Sequence, residues 1–236
     1  MKLIFSLTLL FIVPFCFAQH PDFQVWTETG VKTKLNKSFD LTFDWTNRVN
    51  NYGLKTSFPQ ASIRYKLNRW LKFSVDYRYI MSKQNNGYYS SGNRLNTNIQ
   101  SNYVSGRASF GLRARYQYSF NRIIMSNYDP EFDVSLRFKP SFSYDIKNSL
   151  LSPYGSIEIF YTPQNGPLGN RITRLRYQIG VNFETKLPFD LSLGYLYDDK
   201  MNLPNVTDRH ALTVSALYLM KKKKLKKKQS KSSRDL

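Results

Sequence analysis

The stretch Phe39-Asp40-Leu41-Thr42-Phe43-Asp44-Trp45-Thr46-Asn47-Arg48 sets large apolar side chains at 39, 41, 43 and 45 against polar ones at 40, 42, 44, 46 and 48. An extended strand turns successive side chains to opposite faces, so this alternation makes one apolar and one polar face. A helix, repeating near 3.6, would mix the two sets. The same period recurs along the chain. Leu71, Phe73, Val75, Tyr77 and Tyr79 alternate with Lys72, Ser74, Asp76 and Arg78, and Leu112, Ala114, Tyr116 and Tyr118 with Arg113, Arg115 and Gln117. Val134, Leu136 and Phe138 alternate with Ser135, Arg137 and Lys139, and Leu175, Tyr177 and Ile179 with Arg174, Arg176 and Gln178.

Working outward, the pattern predicts strands over 23–35, 38–50, 58–67, 70–82, 94–103, 107–121, 131–145, 151–162, 172–187, 189–198 and 209–220. Most are ten residues or longer. Strands of globular proteins run nearer five or six, whereas a tilted membrane-spanning strand needs about 9–11. The expected fold is therefore all-β: an antiparallel up-and-down transmembrane β-barrel of about 10–12 strands. Short turns at Asn36-Lys37, Asn68-Arg69, Ser105-Gly106, Lys147-Asn148 and Lys186 to Pro188 alternate with longer connections. The longer ones are Asn50 to Ser57, Lys83 to Asn93, Arg122 to Pro130, Pro163 to Asn170 and Asp199 to Asp208. Short turns at one end and long loops at the other are the habit of outer-membrane barrels. Trp45, Tyr77, Tyr79, Tyr116, Tyr118, Tyr161, Tyr195 and Tyr197 fall near the long-loop ends and form a candidate aromatic girdle. Phe39, Trp70 and Phe189 fall near the short-turn ends. Eleven strands conflict with the even number usual for bacterial single-chain barrels.

The termini frame this unit. Lys2, the apolar run Leu3 to Phe15 and Cys16-Phe17-Ala18 read as a signal peptide over 1–18, cleaved before Gln19. Phe15 before Cys16 is too large for a lipoprotein signal. Cys16 is the single cysteine, so the barrel, 19–220, carries no disulfide, thiol nucleophile or cysteine-held metal. The net charge is +19, yet Lys221 to Leu236 alone contributes +8 and Lys2 +1, leaving +10 for the barrel. The tail 221–236 has no apolar period and is expected to be disordered. Anionic lipid headgroups or periplasmic polyanions could meet its Lys221–Lys228 run. Nucleic acid is not an expected partner of an exported chain.

With the apolar face toward lipid, the polar face lines the lumen. It would carry Asp44, Arg48, Arg64, Asp76, Arg78, Arg113, Arg115, Asp133, Arg137, Glu158, Arg174, Arg176 and Glu184. Both signs are present with arginine in excess, which predicts a narrow or side-chain-filled, salt-bridged lumen. Any water path through it would favour anions. Chemistry is poorly supported. Hydrolases and acyltransferases need a histidine set against a serine or carboxylate, and beyond the signal only His20 and His210 are available. His210 falls in the apolar phase near a rim, close to Asp208 but far from Ser215. Two distant histidines make no metal motif, and no glycine-rich phosphate loop is present. No cofactor, metal or catalytic residue is therefore expected. The competing readings are a lipid- or lipopolysaccharide-modifying barrel enzyme, resting on His210, and a soluble periplasmic ligand-binding barrel with its faces reversed.

Several short patterns carry a resemblance: Asp22-Phe23 with Trp26, Leu35-Asn36-Lys37 leading to Arg48, and Tyr65-Lys66-Leu67-Asn68 before Leu71-Lys72 and Tyr77-Arg78-Tyr79. Arg113 to Gln117, Pro153-Tyr154 with Glu158 to Tyr161, Arg174 to Tyr177, and Asp208 to His210 continue it. On these residues the chain resembles the domain-of-unknown-function family 2490. The resemblance implies an outer-membrane β-barrel, and outer-membrane lipid and the barrel-assembly machinery are expected as partners of such a barrel. It implies no activity and so assigns no site residues. The lysine tail departs from the pattern, and the last strand ends at Met220 with Tyr218 as its nearest aromatic, where many outer-membrane barrels end on an aromatic residue.

Overall fold

The structure is a computed structural model that describes residues 22–84, 86–120, 134–163, 171–185, 187–203 and 207–220. The expected signal peptide, the Lys221–Lys228 tail, His20 and Asp133 lie outside the described residues. The strands are β1 (Asp22–Lys34), β2 (Phe39–Asn50), β3 (Gly53–Lys66), β4 (Leu71–Lys83), β5 (Tyr89–Ser105) and β6 (Ala108–Phe120). They continue as β7 (Val134–Tyr144), β8 (Leu151–Thr162), β9 (Arg171–Phe183), β10 (Phe189–Lys200) and β11 (Arg209–Met220). Each pairs with its neighbours in sequence, and β1 pairs with β11 to close the barrel.

The all-β, largely antiparallel barrel expected from the sequence is closed by one parallel pair among the described ladders: β1 and β11 run side by side from Asp22 opposite Arg209 to Thr33 opposite Met220. An odd number of up-and-down strands leaves the first and last pointing the same way, so only a parallel pair can shut the wall. β1 therefore starts at the end carrying the longer connections, and β11 finishes at the short-turn end.

Two short turns are built alike from a repeated Leu-Asn pair. Asn36 Oδ1 accepts from the backbone N–H of Ser38 and Phe39, both at 2.8 Å. Asn68 Oδ1 accepts from Trp70 and Leu71 at 2.8 and 2.7 Å. An asparagine side chain that mimics a backbone turn in this way reverses the chain in few residues. Two of the expected long connections are shorter than the composition suggests. Only Asn51 and Tyr52 separate β2 from β3, with Gly53 at φ +93°, and β5 begins at Tyr89 rather than 94. The polar residues there, including Thr56, Ser90 and Ser91, continue the ladders instead of looping out.

Burial is inverted relative to a water-soluble protein. Asp40, Asp44, Asp76, Asn96, Glu158 and Asp198 are buried, while Phe43, Ile63, Val75, Ile99, Phe138 and Ile179 are exposed. The polar phase thus faces the lumen and the apolar phase faces out, the reverse of a soluble barrel with an apolar interior.

Candidate functional site

Register settles which side chains face in. Asp44, Arg48, Arg64, Asp76, Arg78, Arg113, Arg115, Arg137, Glu158, Arg174 and Arg176 project from the lumen face of β2, β3, β4, β6, β7, β8 and β9. Glu184 lies at the rim of the lumen rather than on a strand. β9 ends at Phe183, so Glu184 is exposed at the short-turn rim, where its Oε1 accepts from Ser152 Oγ at 2.7 Å.

Two carboxylates organise the middle of the lumen. Glu158 faces Arg113 at 2.9 Å, Arg176 at 3.7 Å and Arg137 at 4.0 Å. Asp198 has no exposed side-chain surface and holds Arg176 through two hydrogen bonds, at 2.5 and 3.0 Å. Arg209 at 3.4 Å and Arg174 at 3.8 Å share it. A second cluster joins Asp76 to Arg115 at 3.2 Å and to Asn98 at 2.8 Å. Low dielectric makes each unpaired charge costly, so one carboxylate serving several guanidiniums is the economical arrangement for an arginine-rich interior.

The alternation pattern conceals an apolar element inside this polar face. Trp26, Phe58 and Phe160 are buried in the lumen, and the guanidiniums stack on them. Arg48 lies 3.9 Å from the Trp26 ring and 5.1 Å from Phe58; Arg78 lies 4.1 Å from Phe58 on the latter's neighbouring strand. Arg137, Arg174 and Arg176 lie 4.4, 5.0 and 5.0 Å from Phe160. Flat guanidiniums stack well on ring faces, which lets cations fill space that water would otherwise occupy. On the long-loop side of this arginine–aromatic layer is a cavity of about 250 Å³, on its other side one of about 340 Å³, and Arg48, Phe58, Arg78 and Arg137 line both. Lys55, Arg94, Lys139, Asp198 and Arg209 also belong to the lumen and were not among the expected site residues. Asp198 had a usable signal, since it falls in the phase opposite Leu193, Tyr195 and Tyr197.

The outer face has its own order. Among the described strand residues that face out, the charged ones are Lys83 and Asp199, both at the long-loop ends of their strands. The expected girdle residues Trp45, Tyr77, Tyr79, Tyr116, Tyr118, Tyr161, Tyr195 and Tyr197 all face out. Four of them hydrogen-bond a neighbouring strand two positions nearer the long-loop rim. Trp45 Nε1 donates to Ser57 Oγ at 2.7 Å, Tyr77 Oη to Asn93 Oδ1 at 2.6 Å and Tyr197 Oη to Asp208 at 2.8 Å. Tyr195 Oη bonds His210 Nδ1 at 2.5 Å. At the short-turn end, Phe39 with Tyr65, Phe110 with Phe142 and Phe189 with Tyr218 form cross-strand ring pairs at 4.9, 5.2 and 5.3 Å.

His210 belongs to this outer face. It stacks on Phe23 at 5.1 Å and lies beside Tyr197 at 4.9 Å. Ser215 lines the lumen, on the other side of the wall. Among the described residues no group of three or more histidine, cysteine or acidic side chains could hold a metal ion.

A family model described as "Protein of unknown function (DUF2490)" matches residues 23–208, which run from the second residue of β1 to the residue before β11. No curated protein matches the chain.

Proposed function

Because this chain belongs to the DUF2490 family, whose description carries no activity, we propose its function from the geometry: an integral outer-membrane β-barrel, non-catalytic, whose lumen is closed at mid-height by the arginine–aromatic layer. The observation that carries this reading is the uncharged outer band between two aromatic girdles. Hydrocarbon penalises an outward charge by about 2–4 kcal/mol at mid-depth, and a wall facing water has no reason to exclude charge. Rings with an apolar body and a polar tip settle at membrane–water boundaries, and the upper girdle points its polar tips toward the rim.

The dimensions agree. Phe39 to Trp45, Phe110 to Tyr116 and Phe189 to Tyr195 each span six residues, and the upper rings reach two positions further. Eight residues at ~3.3 Å, on strands tilted by about 40°, give roughly 20 Å of height against an apolar band of about 25 Å. The outer-membrane orientation places the short turns in the periplasm, and with them the end of β11 and the lysine tail that follows. A signal peptide at 1–18 would supply the export that this location needs.

Closure is supported by the stacked guanidiniums and by the Glu158 and Asp198 clusters, which fill the mid-section. A lipid-modifying enzyme gains no support from His210, because its partners are aromatic side chains and the lumen serine lies across the wall. The test is planar-bilayer conductance of the refolded chain, with vesicle flotation as the insertion control. Flotation together with electrical silence is the expected result. Discrete anion-selective steps would replace the closed barrel by an open pore, and failure to float would remove the membrane reading.

A further inference from the structure

We infer that the long-loop-side cavity is a built binding site for a small, multiply charged oxyanion of the phosphate class. The inference goes beyond the proposed function and rests on the closed barrel alone, wherever that barrel resides.

The first observation is the sign of the walls. Arg48, Arg78 and Arg137 form the floor, and Lys55, Arg94 and Arg209 stand above them, with Lys55 and Arg209 held from outside the cavity lining by Asp22 at 3.0 and 3.5 Å and Arg209 also by Asp198 at 3.4 Å. Among the described residues lining this cavity none is a carboxylate, whereas Glu28, Asp44 and Glu158 all line the larger cavity below. Ser82, Gln117 and Ser135 add neutral hydrogen-bonding groups. Several guanidiniums around one small space match the geometry of phosphate oxygens, which accept paired N–H donors.

The second observation is how the wall is made. The ladder between β2 and β3 slips between Arg48 and Val49, so that Arg48 faces Thr56, Val49 faces Leu54, and Lys55 is the extra residue. The ladder between β8 and β9 slips in the same way between Phe160 and Tyr161, leaving Thr173 extra. In a regular strand two consecutive residues cannot both face the lumen. Here Lys55 with Thr56, and Thr173 with Arg174, all line this cavity. Bulges re-aim side chains beside functional sites, and both of the register shifts seen in the described ladders deliver an extra side chain to the same space.

The third observation is Arg48. Among the described residues it forms no ion pair, and its Nε is buried without a hydrogen-bond partner. It lies against the Trp26 and Phe58 rings, and Arg78 and Arg209 share the cavity wall with it. A guanidinium whose Nε is buried and unpartnered among cationic neighbours calls for an acceptor, and the cavity it lines is where an anion can supply one. At about 250 Å³ the space lies just below the usual range of small-molecule pockets, so it suits a compact anion rather than a polymer.

The experiment is calorimetric titration of the full folded chain in detergent micelles, with pyrophosphate, phosphate and chloride as probes at matched ionic strength. Saturable one-to-one binding is expected, tighter for pyrophosphate than for phosphate, with no saturation by chloride. Arg48→Gln should weaken pyrophosphate binding about tenfold, the size of one lost charge-assisted contact. Lys55→Ala, at a half-exposed bulge position that tolerates truncation, should weaken it about threefold on the same reasoning. Arg64→Gln, on the lumen face outside this cavity, should bind as the parent does. Absence of saturable binding overturns the inference, as does an equal loss in Arg64→Gln or unchanged affinity in Arg48→Gln. If Arg48→Gln does not fold, parental affinity in Lys55→Ala overturns it. Binding in micelles by a chain that fails to float with vesicles would sink the membrane reading and leave this one standing.

Discussion

Replacing Asp198 by asparagine isolates the interaction on which the lumen most depends. The side chain has no exposed surface, and three guanidiniums converge on it: Arg176 through two hydrogen bonds, Arg209 at 3.4 Å and Arg174 at 3.8 Å. Asparagine keeps the volume but removes the charge and turns an amide N–H₂ toward groups that only donate. Arg176 retains Glu158 at 3.7 Å and Arg209 retains Asp22 at 3.5 Å, so part of the loss is recovered. Two charge-assisted hydrogen bonds at ~1.5–3 kcal/mol each, less that recovery, put the cost at about 3–5 kcal/mol, in line with breaking a buried pair from one side. For a domain of this size each kcal/mol moves the melting midpoint by ~2–4 °C, so a fall of about 10 °C is expected. The assay is loss of the folded band on unheated gels after incubation at stepped temperatures in lipid vesicles. Asp190→Asn is the internal reference. Its pair with Lys32 at 3.4 Å is half-exposed on the aspartate side, and such pairs contribute at most about 1 kcal/mol. Equal midpoints for the two variants would refute the claim that the Asp198 cluster holds the lumen together.

Other outcomes follow from single contacts. The Tyr154 ring lies across Gly180 and Gly194, where a Cβ would come within 2.7 Å of it, so Gly180→Ala should cost about 1–3 kcal/mol in vesicle unfolding while Tyr154→Phe costs about 1. Removing the stacking partners with the pair Trp26→Ala and Phe160→Ala should open the partition and produce anion-selective steps in a bilayer that is silent for the parent chain; continued silence would mean that other groups close the lumen. His210→Ala should leave the composition of surrounding lipid unchanged by mass spectrometry, and a change relative to the parent would revive the enzyme reading.

Much of the wall was legible because a strand with an apolar outer face and a polar lumen face must alternate. Phe39 to Arg48 could be assigned to faces residue by residue, and the paired Leu-Asn turns set the short end. The strand count of eleven was legible too, but its consequence was not: the parallel join of β1 to β11 follows from closure, which no local pattern contains. Phase reading failed in two places, because it takes apolar character as a marker of the outside and because it assumes an unbroken period. Trp26, Phe58 and Phe160 are apolar residues in the polar phase, and their partners are guanidiniums from other strands, Arg48, Arg78 and Arg137 among them. The bulges at Lys55 and Thr173 shift the phase itself, so the polar run from Asn50 to Ser57 read as a loop.

Those two failures describe the same part of the molecule. An arginine-rich lumen of this width could be filled by ion pairs alone only with a carboxylate for nearly every guanidinium. The rings at Trp26, Phe58 and Phe160 change that requirement. Stacking accommodates cations without neutralising them, so Arg48 can keep a buried Nε with, among the described residues, no carboxylate within ion-pair distance. The arginine–aromatic layer thereby leaves positive charge facing the cavity above it. On the proposed reading, a closed lumen and anion affinity are two results of one packing solution, so the aromatic substitutions expected to open the lumen should also weaken pyrophosphate binding: losing Trp26 frees Arg48 to turn away from the floor it now holds.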